Sequence, residues 1–225
     1  MREVFRVAAI AALLLGAGRA SAQSVKYDFE SGTDQGWGHK FSNDASESFP
    51  VSNVAGSNRM LVARNGDFQE ADISTGNSAD ALYQAMLAAS GNEAGYVLSY
   101  DYRIDTASFG AGAGTFLQLG TYVNTGSGYY AQNFGNPKEL ELNGTQLASG
   151  QLFSGTVSQT FSAKGFDIPA GETFFRLGLI INGDGANQAV YFDNISITPV
   201  PEPTSLACLA LALPALALRR RRRVA

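Results

Sequence analysis

The sequence predicts an all-β fold, an antiparallel β-sandwich. Three observations carry that expectation. Apolar residues recur with a period of two along most of the stretch from Gln23 to Thr198. Clusters of Gly, Asn, Asp and Ser interrupt them at short intervals, as in Asn65-Gly66-Asp67, Asn143-Gly144 and Asn182-Gly183-Asp184-Gly185. The composition is that of a packed globular chain, 45% hydrophobic and 16% charged over 225 residues, with 25 glycines.

Taken in order, the alternation places strands over 25–30, 59–63, 96–104, 116–123, 139–142, 156–162, 173–181 and 189–198. The clearest is 96–104, where Tyr96, Leu98, Tyr100, Tyr102 and Ile104 share one face and Val97, Ser99, Asp101 and Arg103 the other. The segment 173–181 is apolar on both faces apart from Arg176, as a central strand is. Over 80–89 the period is ambiguous, and Ala81, Leu82, Ala85, Met86 and Ala89 fit a short helix. In the last strand Val190 and Phe192 fall on one face, and Ile195 and Ile197 on the other if the pleat is unbroken. A β-bulge at Asp193-Asn194 would keep all four in the core and re-aim Asp193; the alternative is a strand buried on both faces. About 175 residues of this kind suit one jelly-roll domain over 23–198.

The two ends read as addresses. Residues 1–22 have the parts of a secretory signal peptide: basic Arg2 and Arg6, a short apolar stretch from Val7 to Gly18, and the small-x-small cleavage pattern Ala20-Ser21-Ala22. The apolar stretch is short for a membrane span. With no Arg-Arg pair, the expected route is general export. Residues 199–225 begin with Pro199-Val200-Pro201-Glu202-Pro203, kept extended because each proline lacks an N–H and restrains its predecessor. The apolar run from Leu206 to Leu218 follows, roughly 20 Å long as a helix. Thr204, Ser205 and snorkelling arginines narrow its gap to a ~30 Å hydrocarbon core. Arg219, Arg220, Arg221, Arg222 and Arg223 then hold the cytoplasmic side. Cys208, the one cysteine, reads as a small apolar residue of that run.

Pro201-Glu202-Pro203, the apolar run and the arginine cluster resemble the PEP-CTERM sorting signal. The resemblance implies export through the inner membrane of a Gram-negative bacterium and transient anchoring by the short transmembrane sorting helix. It further implies cleavage by an exosortase near Pro201-Glu202-Pro203 and delivery to the cell surface or extracellular space of an exopolysaccharide- and biofilm-producing organism.

Charge and residue inventory exclude several functions. The chain carries 16 Lys+Arg and 20 Asp+Glu. Three arginines and Glu3 lie in 1–22, and five arginines and Glu202 in 199–225, which leaves 8 basic against 18 acidic residues, net −10, over 23–198. A nucleic-acid partner is not expected. Cysteine nucleophiles and Cys/His zinc sites are ruled out of 23–198, His39 is the only histidine, and no Gly-x-Ser-x-Gly elbow occurs. Glu70/Asp72 and Glu139/Glu141 each lie two apart on one strand face, roughly 7 Å between side chains. Such pairs are ordinarily a solvated face, so no catalytic residue is assigned.

Tyr27-Asp28-Phe29-Glu30-Ser31-Gly32, then Trp37, then Gly56-Ser57-Asn58-Arg59, then Tyr191-Phe192-Asp193-Asn194-Ile195 form an ordered set of patches. This order resembles the jelly-roll carbohydrate-binding modules and galactose-binding-like domains. The resemblance implies one structural calcium ion, with carboxylates from Glu30 and Asp193 and carbonyls near Gly32 and Asn58 completing an oxygen shell. Asp184 alone is one carboxylate, and its Gly-rich surroundings read as a hairpin turn.

Sugar binding needs an aromatic face with amides beside it. The candidates are Tyr129 and Tyr130, followed by Trp37, Tyr122 and Gln132. Adjacent Tyr129 and Tyr130 lie on opposite faces if extended, which offers one of them to solvent. The expectation is an exported non-enzymatic surface or matrix protein that binds exopolysaccharide. The alternatives are a structural matrix protein without a sugar site and a glycan-active hydrolase or lyase.

Overall fold

The computed structural model describes residues 24–39, 47–63, 68–75, 79–90, 96–125, 129–132, 139–161 and 174–200. Ala22, Pro201, Glu202, Pro203, the arginines 219–223 and the expected sorting helix lie outside the described residues. Among the described residues no helix is long and apolar enough to cross a membrane.

Two antiparallel sheets form a sandwich. The first has the order β11 (Leu152–Phe161), β7 (Tyr96–Asp105), β13 (Ala189–Pro199), β5 (Ser57–Ala63), β4 (Val51–Val54), with β1 (Val25–Tyr27) also on β13. The second has the order β10 (Leu140–Asn143), β8 (Phe116–Thr125), β12 (Phe175–Gly183), β6 (Phe68–Thr75), β2 (Gly38–His39), β3 (Glu47–Ser48), with β9 (Tyr129–Gln132) also on β8. The inward rows of the two sheets supply Leu98, Tyr100, Ile104 and Phe192 on one side and Leu119, Leu177, Leu179 and Ile181 on the other, all buried. Tyr100 and Phe192 meet edge to face, 5.5 Å between centroids.

The alternation at 96–104 becomes β7, and the apolar 173–181 becomes the central β12. The ambiguous 80–89 is a helix, Ala81–Ser90, which buries Leu82, Ala85 and Met86. Asn143-Gly144 does more than turn: Asn143 caps the short helix Gly144–Leu147 in a reciprocal capping box with Gln146. Of β6 the sequence reading placed only Glu70 and Asp72 on a strand face, without its bounds, and β11 begins before the expected 156.

The last strand is bulged. Val190, Phe192, Ile195 and Ile197 are all buried, and the β13–β7 register shifts between Asp193 and Ser196. At the same point β13 changes its neighbour on the opposite side. Residues 189–192 pair with β5 and residues 195–197 with β1. The bulge therefore faces a notch between the end of β1 and the start of β5.

Candidate functional site: a carboxylate notch and a polar sheet face

The notch gathers Glu30, Ser57, Asn58 and Asp193. After β1 the chain turns sharply at Phe29, which has φ 55° and is fully buried, and Glu30 follows. The β4–β5 hairpin turns through Ala55 (φ 56°) and Gly56 (φ 88°), the positive-φ pair that fits a tight hairpin, and delivers Ser57. Asn194, at φ 50°, re-aims the bulge and leaves Asp193 1% exposed. Left-handed backbone at a residue as bulky as Phe29 costs about 1–2 kcal/mol, so a fully buried ring must hold it there.

Ser57 Oγ lies 2.9 Å from Glu30 Oε1 and 2.6 Å from Asp193 Oδ2. A hydroxyl has one proton and can donate to only one of these carboxylates. The other contact then sets lone pair against lone pair, unless a cation or a further proton intervenes. The Asn58 N–H donates to Glu30 Oε1 (3.4 Å), and its side-chain amide donates to the Glu30 carbonyl (3.2 Å). Arg59 Nη2 stands 3.9 Å from Asp193 Oδ2 and supplies part of the counter-charge. Gly32 stays in the turn, its N–H on the Phe29 carbonyl at 2.8 Å. Among the described residues no group of three or more His, Cys, Asp or Glu gathers as metal ligands. The donor set here is two carboxylates, a hydroxyl and backbone oxygen, a hard-oxygen set of the kind calcium takes. Ser57 was not among the expected ligands; its place directly after the Ala55-Gly56 turn was the available signal.

The outward face of the second sheet carries the other polar groups; of its four rows the two middle ones are buried and the two outer ones reach solvent. Its register builds four rows. Glu141, Gln118 and Asn182 make one, and Gly120, Ile180 and Glu70 the next. Tyr122, Gly178 and Asp72 make the third, and Asn124, Arg176 and Ser74 the fourth. Asn182 donates to Gln118 Oε1 at 3.1 Å. Tyr122 reaches across Gly178 and donates to Glu70 Oε2 at 3.2 Å. The missing side chain at Gly178 makes that possible, since a Cβ there would lie 1.9 Å from the Tyr122 ring. Burial pushes the Tyr122 hydroxyl pKa well up, with Asp72 and Glu70 adding to it. Asp72 is fully buried, with Arg176 Nε 3.8 Å away.

The sugar candidates separate on this frame. Trp37 is 1% exposed and packs edge to face with Tyr27 at 5.6 Å, and Tyr122 is 0% exposed. Neither offers an open ring face, so both are corrected from stacking platforms to core residues. Their ring areas are worth more in the sandwich interior than in water. In register, Tyr129 stands opposite Asn124, at the end of the fourth polar row. Tyr130 stands opposite Val123 and Gln132 opposite Thr121, both in core rows. Glu139 is not a free face residue: it accepts from the Tyr100 hydroxyl and from Thr121 Oγ1 at 2.5 Å, tying the two sheets together. Asp184 pins a loop, accepting from the Thr115 N–H (2.6 Å), Thr115 Oγ1 (2.5 Å) and the Phe116 N–H (3.1 Å).

No family model matches the chain, and no curated protein matches it. Solved structures do. A carbohydrate-binding module specific for non-crystalline cellulose, CBM28, aligns with a TM-score of 0.53 at 16% identity, covering 80% of this chain and 95% of that one. The xylan-binding module CBM15 aligns with a TM-score of 0.47 at 12% identity, covering 80% and 97%. CBM27-1 of Caldicellulosiruptor saccharolyticus, solved with mannohexaose, aligns at 0.43 and 15%, covering 80% and 99%. The similarity to CBM28 is one of fold: this chain has the antiparallel sandwich of a carbohydrate-binding module.

Proposed function

We propose that the chain is an exported, non-enzymatic module that binds polysaccharide on the outward face of its second sheet. The observation that carries this reading is the pair of rows that reach solvent, Glu141, Gln118 and Asn182 in one and Asn124, Arg176 and Ser74 in the other, which present amides, a carboxylate and a guanidinium with Tyr129 beside the second in register. Hydroxyl-rich chains are held by such planar hydrogen-bonding groups beside an aromatic ring. The fold shared with CBM28 supports the reading. In this account the leader ending at Ala22 exports the chain. The tail anchors it in the inner membrane until an exosortase cuts near Pro201-Glu202-Pro203. The mature domain then joins exopolysaccharide at the cell surface or in the matrix.

One structural calcium ion belongs to the same proposal. Glu30 and Asp193 would hold it, with the Ser57 hydroxyl and oxygens near Asn58 and Gly32. The ion would resolve the lone-pair conflict at Ser57 and offset two acids in a domain of net −10. It would act on stability, since no residue of the outward sheet face is a ligand.

The test of binding is co-sedimentation of the full chain with a panel of insoluble and gelled polysaccharides, including the host's own. Retention by at least one, with no sugar released over hours, is the expected result. Folded protein retained by none would leave the structural-matrix reading in front, and released sugar would move the chain to the hydrolases or lyases. For the ion, calcium is expected to raise the unfolding midpoint and a chelator to lower it, with Asp193→Asn abolishing the difference. An unchanged midpoint in calcium and chelator removes the ion.

A further inference from the structure

The edge of the first sheet at β11 is built differently from an ordinary protected edge. Leu152–Phe161 pairs with β7 over all ten residues, and among the described residues no strand pairs with its other side. About half of its backbone N–H and C=O groups therefore point outward from the sheet. Natural edges are blunted by lysine, proline, bulges or short length. This strand is ten residues long, LFSGTVSQTF, with no charge and no proline. Its register with β7 is unbroken from Leu152↔Asp105 to Phe161↔Tyr96, so no bulge turns it away. Ser154, Thr156, Ser158 and Thr160 are exposed, and Leu152 is 46% exposed. The other edges differ: β10 is four residues and carries Glu141, and β4 is four residues.

We infer that β11 is the interface for a second copy of this chain, paired antiparallel so that the first sheet continues across the dimer. Charge compatibility selects the copy as occupant. Across a two-fold axis every charge on an edge meets its own neighbourhood again, and a domain of net −10 tolerates self-pairing only along an uncharged strand. Behind β11, the charges of β7 lie in one half: Asp101, Arg103 and Asp105 stand opposite Thr156, Ser154 and Leu152. The other half carries Val97 and Ser99, opposite Thr160 and Ser158. A two-fold pairing sets Arg103 and Asp105 of one copy against the uncharged half of the other, while Asp101, which accepts a hydrogen bond from Thr156, stays near the axis one strand behind the interface.

The pleat narrows the register. A pair that keeps outward residues outward must centre on a residue, not between two, because a one-residue slip would set outward against inward side chains. For the middle of this strand that residue is Thr156 or Val157. Either choice sets hydroxyl against hydroxyl along the outer face: Ser154 meets the second copy's Ser158 in the first case and its Thr160 in the second. Such an interface, about 33 Å long, lies at the small end for proteins. Association is therefore expected only at high local concentration, as in a matrix.

The test uses the full chain carrying Cys208→Ser, by sedimentation velocity up to about 1 mM. The mass is expected to rise toward that of a dimer. Ser154→Lys with Ser158→Lys, both at exposed positions, is expected to raise the dissociation constant at least about ten-fold while leaving the melting midpoint unchanged. Under mild oxidation Thr156→Cys is expected to form disulfide dimers, because the two cysteines lie opposite or on the nearest diagonal. Thr160→Cys is not, because its two copies lie ~20 Å or more apart. A monomer at all concentrations, association indifferent to the lysines, or equal crosslinking at both positions would overturn the inference.

Discussion

At the scale of single residues, two groups decide how the polar surfaces are built. Gly178 lets the Tyr122 ring cross β12 and bond Glu70, so a methyl there meets the ring at 1.9 Å. Gly178→Ala is expected to destabilise the domain by about 1–3 kcal/mol, read from urea unfolding. Asp184 is exposed, and the Thr115 hydroxyl, with the Phe116 and Thr115 N–H groups, holds its carboxyl below the ordinary 3.8. A depressed carboxyl stabilises the fold above its unfolded value, and that contribution is lost as pH falls through the folded one. The stability difference between wild type and Asp184→Ala is expected to be constant at neutral pH and to disappear in acid below 3.8. Aromatic identity alone could not assign Trp37 and Tyr122, because the same ring serves a core or a stacking platform. Only strand register, which the sequence does not contain, separates Tyr129 from Tyr130.

At the scale of elements, the alternating strands were legible and the bulge was too. Four apolar residues out of phase at 190, 192, 195 and 197 have few ways to be buried together, and a bulge at Asp193-Asn194 is one. The bounds of β6 were hidden, and its Glu70/Asp72 face is buried rather than solvated, because Gln69, Glu70 and Asp72 are polar yet buried, which removes the alternation that marks a strand. The start of β11 was hidden because Ser154 and Gly155 read as turn residues. Three of the notch's four members, Glu30, Asn58 and Asp193, came from the resemblance of the flanking patches to carbohydrate-binding modules; Ser57 had only its place after the Ala55-Gly56 turn to mark it. Asn194 tests the bulge. It sits at φ 50° and donates to Asp101 Oδ2 at 2.7 Å. Asn194→Gly should lose only that bond, about 1 kcal/mol. Asn194→Val adds left-handed strain of about 1–2 kcal/mol more, and thermal unfolding should rank the two in that order.

At the scale of the whole molecule, the sandwich keeps three features apart. The notch stands where β13 changes partner from β5 to β1, the polar rows cover the second sheet, and the open edge β11 closes neither. The proposed ion would thus stabilise the fold without touching the proposed sugar surface, and a dimer through β11 would leave the outer polar rows of both copies clear of the interface. A chain of that kind could bridge two polysaccharide strands at once.

Polysaccharide binding is proposed along the solvent-reaching rows of the second sheet, with Tyr129 beside Asn124 in register. The most direct measurement is affinity electrophoresis of the full chain through gels containing the host's exopolysaccharide, beside Tyr129→Ala and Tyr130→Ala. Wild type is expected to be retarded, Tyr129→Ala to run as in a sugar-free gel while still folded, and Tyr130→Ala, opposite Val123 in register, to lose stability rather than affinity. Unretarded wild type, or retardation that survives Tyr129→Ala unchanged, would contradict the proposal.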